Sequence, residues 1–278
     1  MNHSVPQPVQ TLLVSDLHLG CKHSRSKEFL EFLNCYSPQA IYLVGDFFDA
    51  WKVNDGWQDT PDCQAIIDRL IALSDSGTTL HYTPGNHDAF LRDLGFDRIM
   101  PADFPDVQID DTFYYESLRG WRFLITHGDL FDSIETRAQW ISKSFSAFYD
   151  HCLSLNRLVI ANLLRSQRNP YGVCGFVKGR VKRAVKMLSR YEDKIMSHAA
   201  EHDCDGIIFG HLHTPAIKKG DTVLYVNTGD WVENCTGLVE HLDGRFELVR
   251  QYGQNQYLQL EDRNAENAVL PFEQVAPC

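Results

Sequence analysis

The sequence predicts an α/β fold: a two-sheet β-sandwich flanked by helices, carrying a helical insertion in its second half. Three observations carry that expectation. Up to Thr83, short apolar runs alternate with stretches of helical spacing, the pattern of βαβ units and a partly parallel sheet. From Val107 the apolar runs are shorter and closer together, and Asp243-Gly244 reads as a hairpin turn, so this half is expected to be mostly antiparallel. Between them, residues 133–202 read as helix.

Taken in order, residues 11–15 (TLLVS) are the first expected strand, which stops at Asp16. Residues 27–33 place Phe29, Leu30 and Leu33 on one helical face. Residues 40–44 (AIYLV) repeat the strand signal and stop at Gly45-Asp46. Residues 63–73 set Ile66, Ile67, Leu70, Ile71 and Leu73 at helical spacing, and residues 78–83 give a third strand closed by the turn Pro84-Gly85. Later strands are expected at 107–110, 112–117, 122–126, 206–209, 216–218, 223–226, 236–241 and 246–250. Beyond Gln254 the polar tail is expected to be loosely held.

The insertion has two parts. From Trp140 to Leu164 the apolar residues are dense enough to cover more than one helical face, more than a single packing partner requires. Val177, Val181, Val185 and Leu188 then form one stripe, with Lys178, Arg180, Lys182, Arg183, Lys186 and Arg190 on the other faces. From Arg157 to Arg190 there are nine Lys or Arg residues and no acid.

Against that local positive charge stands a formal net charge of −11 over 278 residues, so bulk electrostatics disfavour nucleic acid and anionic lipid wherever positive charge is not concentrated. Hydrophobic residues make up 44% and charged residues 23%, a globular rather than a disordered balance. The eight cysteines form no Cys-x-x-Cys pair and read as thiols of a reducing compartment. Residues 1–10 lack the apolar core of a signal peptide, and no apolar stretch reaches the length of a bilayer span. A cytoplasmic protein is expected, with peripheral membrane contact open.

Five strand ends carry metal-type residues: Ser15-Asp16-Leu17-His18, Gly45-Asp46-Phe47-Phe48-Asp49, Gly85-Asn86-His87-Asp88, Thr126-His127-Gly128-Asp129 and Gly210-His211-Leu212-His213. Each alone has a plainer explanation, since Asn and Asp bond local backbone in turns and a single histidine is more often structural. Jointly they form a constellation. Asp and His two residues apart offer an oxygen and a nitrogen to one cation, and a carboxylate such as Asp46 can bridge two. Asp16, His18, Asp46, Asn86, His127, His211 and His213 suffice for two divalent ions about 3.5–4 Å apart. Mixed oxygen and nitrogen donors suit Mn²⁺ above all, with Fe²⁺ and Zn²⁺ possible, and the lack of thiolates argues against structural zinc.

These motifs resemble the signature of the calcineurin-like metallophosphoesterase superfamily. The resemblance implies one ion held by Asp16, His18, Asp46 and His213 and another by Asp46, Asn86, His127 and His211, with Asp49 and Asp88 behind the ligands. It makes His87 and Asp88 the catalytic candidates and sets Asn86 and His87 on the substrate. Ions of this kind activate water for in-line attack at phosphorus, while His87 would stabilise the phosphoryl oxygens or protonate the leaving oxygen.

At a finer level Gly45-Asp46-Phe47-Phe48-Asp49-Ala50-Trp51, the basic insertion and Asn227-Thr228-Gly229-Asp230-Trp231-Val232-Glu233 are similar to the UDP-2,3-diacylglucosamine diphosphatase branch. That similarity implies cleavage of a nucleotide-linked lipid to UMP and 2,3-diacylglucosamine 1-phosphate in lipid A assembly. Lys178, Lys182 and Lys186 would then bind the substrate at the cytoplasmic face of the inner membrane. The best-known members of the branch carry Gly-Asn-Arg-Asp where this chain has His87, the residue of the wider superfamily. No obligate protein partner is evident.

Other readings use the same residues. The basic stretch can be an ordinary solvated helix face. A metal-dependent phosphodiesterase or nuclease would set its charges on phosphates, but the aromatic residues precede the basic helix instead of interleaving with it, which disfavours a nucleic-acid platform. A cyclic-nucleotide phosphodiesterase or a phosphoprotein phosphatase leaves the apolar insertion unexplained. A non-enzymatic binding module on the same scaffold is disfavoured because no ligand position is lost.

Overall fold

The computed structural model of the chain describes residues 5–52, 60–94, 107–131, 190–220 and 222–263. The chain divides into two compact units, Met1–Asp129 with Ile195–Cys278, and Leu130–Lys194. Nearly all of the second unit, and with it the expected cap with Lys178, Lys182 and Lys186, lies outside the described residues.

In the first unit, β1 (Gln7–Val14), β2 (Tyr36–Val44), β3 (Thr79–Thr83) and β4 (Val107–Ile109) run parallel as neighbours. On the other side of β1, β10 (Thr236–Glu240), β11 (Arg245–Arg250) and β12 (Gln256–Gln259) add antiparallel strands, giving the order β12-β11-β10-β1-β2-β3-β4. The second sheet orders β5 (Phe113–Glu116), β6 (Arg122–Ile125), β7 (Gly206–Phe209), β9 (Leu224–Asn227) and β8 (Ala216–Lys219).

Strand alternation explains how the layers pack. Leu12 and Val14 of β1, with Ile41 and Leu43 of β2, face one apolar cluster shared with α1 (Ser26–Asn34) and α2 (Pro61–Asp75). Leu13, Tyr42 and Val44 point the other way, into a cluster with Phe123, Ile125, Ile208 and Val226 of the second sheet. The first sheet is thus apolar on both faces, as a parallel sheet covered on both sides must be. Helix α1 buries Phe29, Phe32 and Leu33 at three- and four-residue spacing. Helix α2 starts where Thr60 accepts a hydrogen bond from Cys63 N and Pro61 occupies the first turn.

The expectation for the second half needs one correction, in the tail. Most of its strand pairs are antiparallel, as expected, while β4 lies parallel to β3, β6 to β7 and β7 to β9. The antiparallel pairs are β5–β6, β8–β9, β1–β10, β10–β11 and β11–β12. Short strands say little about direction, and the long connection between β6 and β7 allows a parallel return. The tail is not loose throughout, since β12 closes the edge of the first sheet with Leu258 and Leu260 buried in the inter-sheet core.

Candidate metal centre

The parallel strands decide where the chemistry gathers. Each of the five polar stretches follows the carboxyl end of β1, β2, β3, β6 or β7, the end at which parallel α/β sheets collect their loops. Backbone bonds join these loops directly: Asp16 N to Gly45 O at 3.0 Å, His18 N to Asp46 O at 2.9 Å and Gly210 N to His127 O at 3.2 Å. His211 N donates to Asp16 Oδ2 at 2.9 Å and His87 N to Asp46 Oδ1 at 2.7 Å.

Local backbone conformation is part of the construction. Asp16, His18, Asp46, His211 and His213 all have φ between 50° and 60°, a region that residues with a Cβ seldom occupy and that clusters at functional sites. Close approach fixes the neighbouring glycines. A Cβ on Gly85 would lie 2.2 Å from Asp46 Oδ1, and one on Gly210 would lie 2.3 Å from Asp16 Oδ2.

The side chains converge. His213 Nε2 lies 3.2 Å from Asp16 Oδ1, and His127 Nε2 lies 3.4 Å from Asp46 Oδ2. His18 Nε2 is 3.9 Å from both Asp16 Oδ1 and Asp46 Oδ2. The His211 ring stands edge-on to His127 at 5.2 Å between centroids. Asp16, His18 and His213 form one group able to hold an ion; Asp16, Asp46 and His127 form a second; His18, Asp49 and His87 form a third. Asp16 joins the first two groups, while Asp46 Oδ2 faces both His18 and His127.

Asp16 Oδ1, His18 Nε2, Asn86 Oδ1 and His127 Nε2 are buried without a well-formed hydrogen bond, Asp16 Oδ1 and His127 Nε2 having only the ion-pair contacts to His213 and Asp46. Four such atoms in one cluster would be costly unless a cation satisfies them. His127 is also oriented for that role: its Nδ1 donates to Val44 O at 2.9 Å, leaving Nε2 toward Asp46. The residues present therefore fit divalent cations.

Electrostatics agree. Burial pushes the His127 imidazolium down, but the Asp46 carboxylate outweighs it and lifts the group to about 10. His213 is likewise opposed by burial and raised to about 9 by Asp16. Burial pushes the Asp46 and Asp16 carboxyls up, yet His127 and His213 respectively hold them below the usual carboxylate range. His18 is driven by burial down to about 4, with Asp46 and Asp16 opposing only in part. In the cation-free chain two imidazoliums thus balance two carboxylates, and cations would take their place and expel the protons.

The remaining expected residues divide by position. His87 Nδ1 donates to Asp49 Oδ1 at 2.9 Å, and the ring lies edge-on to His18 at 4.5 Å. Asp88 is wholly buried: it accepts from Phe47 N at 2.8 Å, Gly85 N at 2.6 Å and the Tyr82 hydroxyl. Burial, and then the charge of Asp46, push its carboxyl up to about 6 despite those donors. Asp88 thereby ties the loops after β2 and β3 together.

Several contributors were not singled out by residue type. Trp51 stacks on the His87 ring at 3.7 Å and 26° while remaining more than half exposed. Asn227 Nδ2 donates to Gly210 O at 2.6 Å and Asn234 Nδ2 to His213 O at 3.0 Å, bracing both ends of Gly210-His211-Leu212-His213. Asp230 organises that brace by accepting from Val232 N at 2.8 Å and Asn234 Nδ2 at 2.5 Å. The signal was the string Asn227 to Glu233, visible as a motif but not as a brace.

Comparison with known proteins agrees with this geometry. A family model described as calcineurin-like phosphoesterase matches residues 9–215. A protein of Xanthomonas axonopodis pv. citri named UDP-2,3-diacylglucosamine hydrolase is 28% identical over 84% of this chain and 96% of its own length. Proteins of the same name from Stenotrophomonas maltophilia (29% identity; 80% of this chain, 91% of the relative) and Pseudomonas entomophila (30%; 79% and 90%) are similar to it as well.

Proposed function

Because the chain belongs to the calcineurin-like phosphoesterase family, and is on that ground a metal-dependent hydrolase, we propose that it cleaves the diphosphate of a nucleotide-linked lipid. The substrate is UDP-2,3-diacylglucosamine and the products are UMP and 2,3-diacylglucosamine 1-phosphate. One observation supports this choice above others: the similarity to relatives of that name runs over about four-fifths of the chain and nine-tenths or more of theirs. Two ions, Mn²⁺ in preference to Fe²⁺ or Zn²⁺, would be held by Asp16, His18, Asp46 and His213 and by Asp46, Asn86, His127 and His211. When bound, they supply an activated water and positive charge for the phosphoryl oxygens.

The chain's own groups do the rest. Asn86 and His87 orient the scissile phosphate at the mouth of the cluster. With Nδ1 engaged by Asp49, His87 has Nε2 left to hold or deliver a proton to the leaving oxygen. Trp51 covers one face of that imidazole and limits its rotation. Among the described residues no helix is long and apolar enough to cross a membrane. Contact with the inner-membrane surface is proposed from the insertion, whose lysines Lys178, Lys182 and Lys186 would meet the diphosphate.

The test is a product assay with Mn²⁺, offering UDP-2,3-diacylglucosamine, bis-p-nitrophenyl phosphate, a cyclic nucleotide and single-stranded DNA in parallel. Release of UMP from the lipid nucleotide at the highest kcat/KM is expected. Faster turnover of DNA or the cyclic nucleotide would replace this reading with a nuclease or phosphodiesterase.

A further inference from the structure

We propose that Arg92 is a positioning residue that holds the Asn86–His127 half of the metal centre in place independently of the other half. The inference rests on the two-ion reading above. Asn86 follows β3 of the first sheet and His127 follows β6 of the second, so no strand ladder fixes one loop against the other.

Arg92 spans that gap. It lies on α3 (Phe90–Leu94), one turn beyond Asp88. Its Nη2 donates to Pro84 O at 2.7 Å, two residues before Asn86. Nη1 and Nη2 also grip the Asp129 carboxylate at 3.1 and 3.2 Å, two residues beyond His127. Nε completes the fork on Asp111 Oδ1 at 2.7 Å. An exposed ion pair would contribute little, but here both the guanidinium and Asp129 are largely buried. The planar fork reaches a carboxylate and a carbonyl together, which an ammonium on a flexible stem does not reproduce.

The other half is braced elsewhere. His18 N donates to Asp46 O and His213 O accepts from Asn234 Nδ2, with no contact to Arg92 among those bonds, while His211, on the same ion as Asn86 and His127, is held by Asp16 and by the Asn227 bond to Gly210. Loss of the fork should therefore loosen one ion and spare the other. Groups behind metal ligands typically change affinity by about 10- to 100-fold when removed.

The experiment counts Mn²⁺ retained after dialysis and measures its affinity calorimetrically for the full chain, Arg92→Met, Arg92→Lys and Asp129→Asn, with melting curves to confirm folding. The unaltered chain should keep two ions. Arg92→Met should keep one at its original affinity and bind the second at least about tenfold more weakly, with kcat reduced more than KM is raised. Arg92→Lys should fall between, and Asp129→Asn should show the same selective loss if Arg92→Met does not fold. Two ions held at unchanged affinity in the variants, or equal weakening of both, would overturn the proposal. Fewer than two ions in the unaltered chain would instead overturn the two-ion reading, and the role of Arg92 with it.

Discussion

At the scale of single residues, the site is defined by what each atom lacks or is forced to accept. Asp46 meets His18 and His127 through Oδ2 and receives His87 N on Oδ1, so its loss disturbs ligands on every side. His87 differs: its Nδ1 is committed to Asp49 and its ring lies between His18 and Trp51. We expect His87→Ala to keep the bound ions and lower kcat by about 10²- to 10⁴-fold, the range of a lost proton donor or charge stabiliser. Asp46→Ala should lose both ions and activity together. Metal analysis beside turnover checks the pair, and an ion-free His87→Ala protein would move His87 among the ligands. Much of this was legible in the sequence, because Asp, Asn and His after apolar runs carry chemistry in their identity. The roles of Trp51 and Asn227, seen only as parts of longer motifs, and of Asn234 were not, because a stacked ring and a bond to a carbonyl depend on a partner far away in the chain.

At the scale of elements, β1, β2 and β3 announced themselves through β-branched and aromatic runs ending in Gly or Asp, and α1 and α2 through three- and four-residue spacing. Strand direction was legible only in the majority of pairs, since β4, β7 and β9 owe their parallel neighbours to the path of the connections. The edge strand β12 was hidden by its polarity, with Leu258 its one fully buried residue. Strand β10 carries a further surprise: Glu240 is wholly buried, accepting from Leu118 N at 2.8 Å and from the Tyr115 hydroxyl of the second sheet. Burial pushes its carboxyl up to about 7, against the opposing bond from Leu118. Between the ordinary carboxylate range and pH 7 the folded chain therefore holds a proton that the unfolded chain has released. Its contribution to stability is full at low pH, falls as pH rises through that window and levels off above it. We expect wild type to lose stability relative to Glu240→Gln from pH 5 to 7, on the order of 3 kcal/mol at most, with no further divergence above. Urea unfolding of both proteins across pH 5–8 measures this, and the comparison cancels other titrating groups. Parallel pH profiles would mean that Glu240 stays ionised in the fold.

At the scale of the whole molecule, charge is distributed unevenly. The chain is acidic at −11, yet nine Lys or Arg residues fall between Arg157 and Arg190 without one acid, and the apolar segment from Trp140 to Leu164 precedes most of them. A metal centre that attacks any accessible phosphodiester gains selectivity from binding beyond the phosphorus, and the proposed function gives that role to this segment. If it receives acyl chains, kcat/KM should fall steeply when they are removed, since each buried CH₂ contributes about 0.8 kcal/mol. A small diester would then be a poor substrate, limited by binding and not by the ions. On that proposal the combined variant Lys178→Glu, Lys182→Glu and Lys186→Glu should impair cleavage of the lipid nucleotide while leaving hydrolysis of bis-p-nitrophenyl phosphate largely intact, because only the larger substrate would reach the insertion. Kinetics on UDP-2,3-diacylglucosamine, deacylated UDP-glucosamine and the small diester separate the cases. Equal damage to both substrates would point to misfolding or to the ions, and equal rates with and without acyl chains would remove the lipid and leave a metallophosphoesterase selecting its substrate by other means.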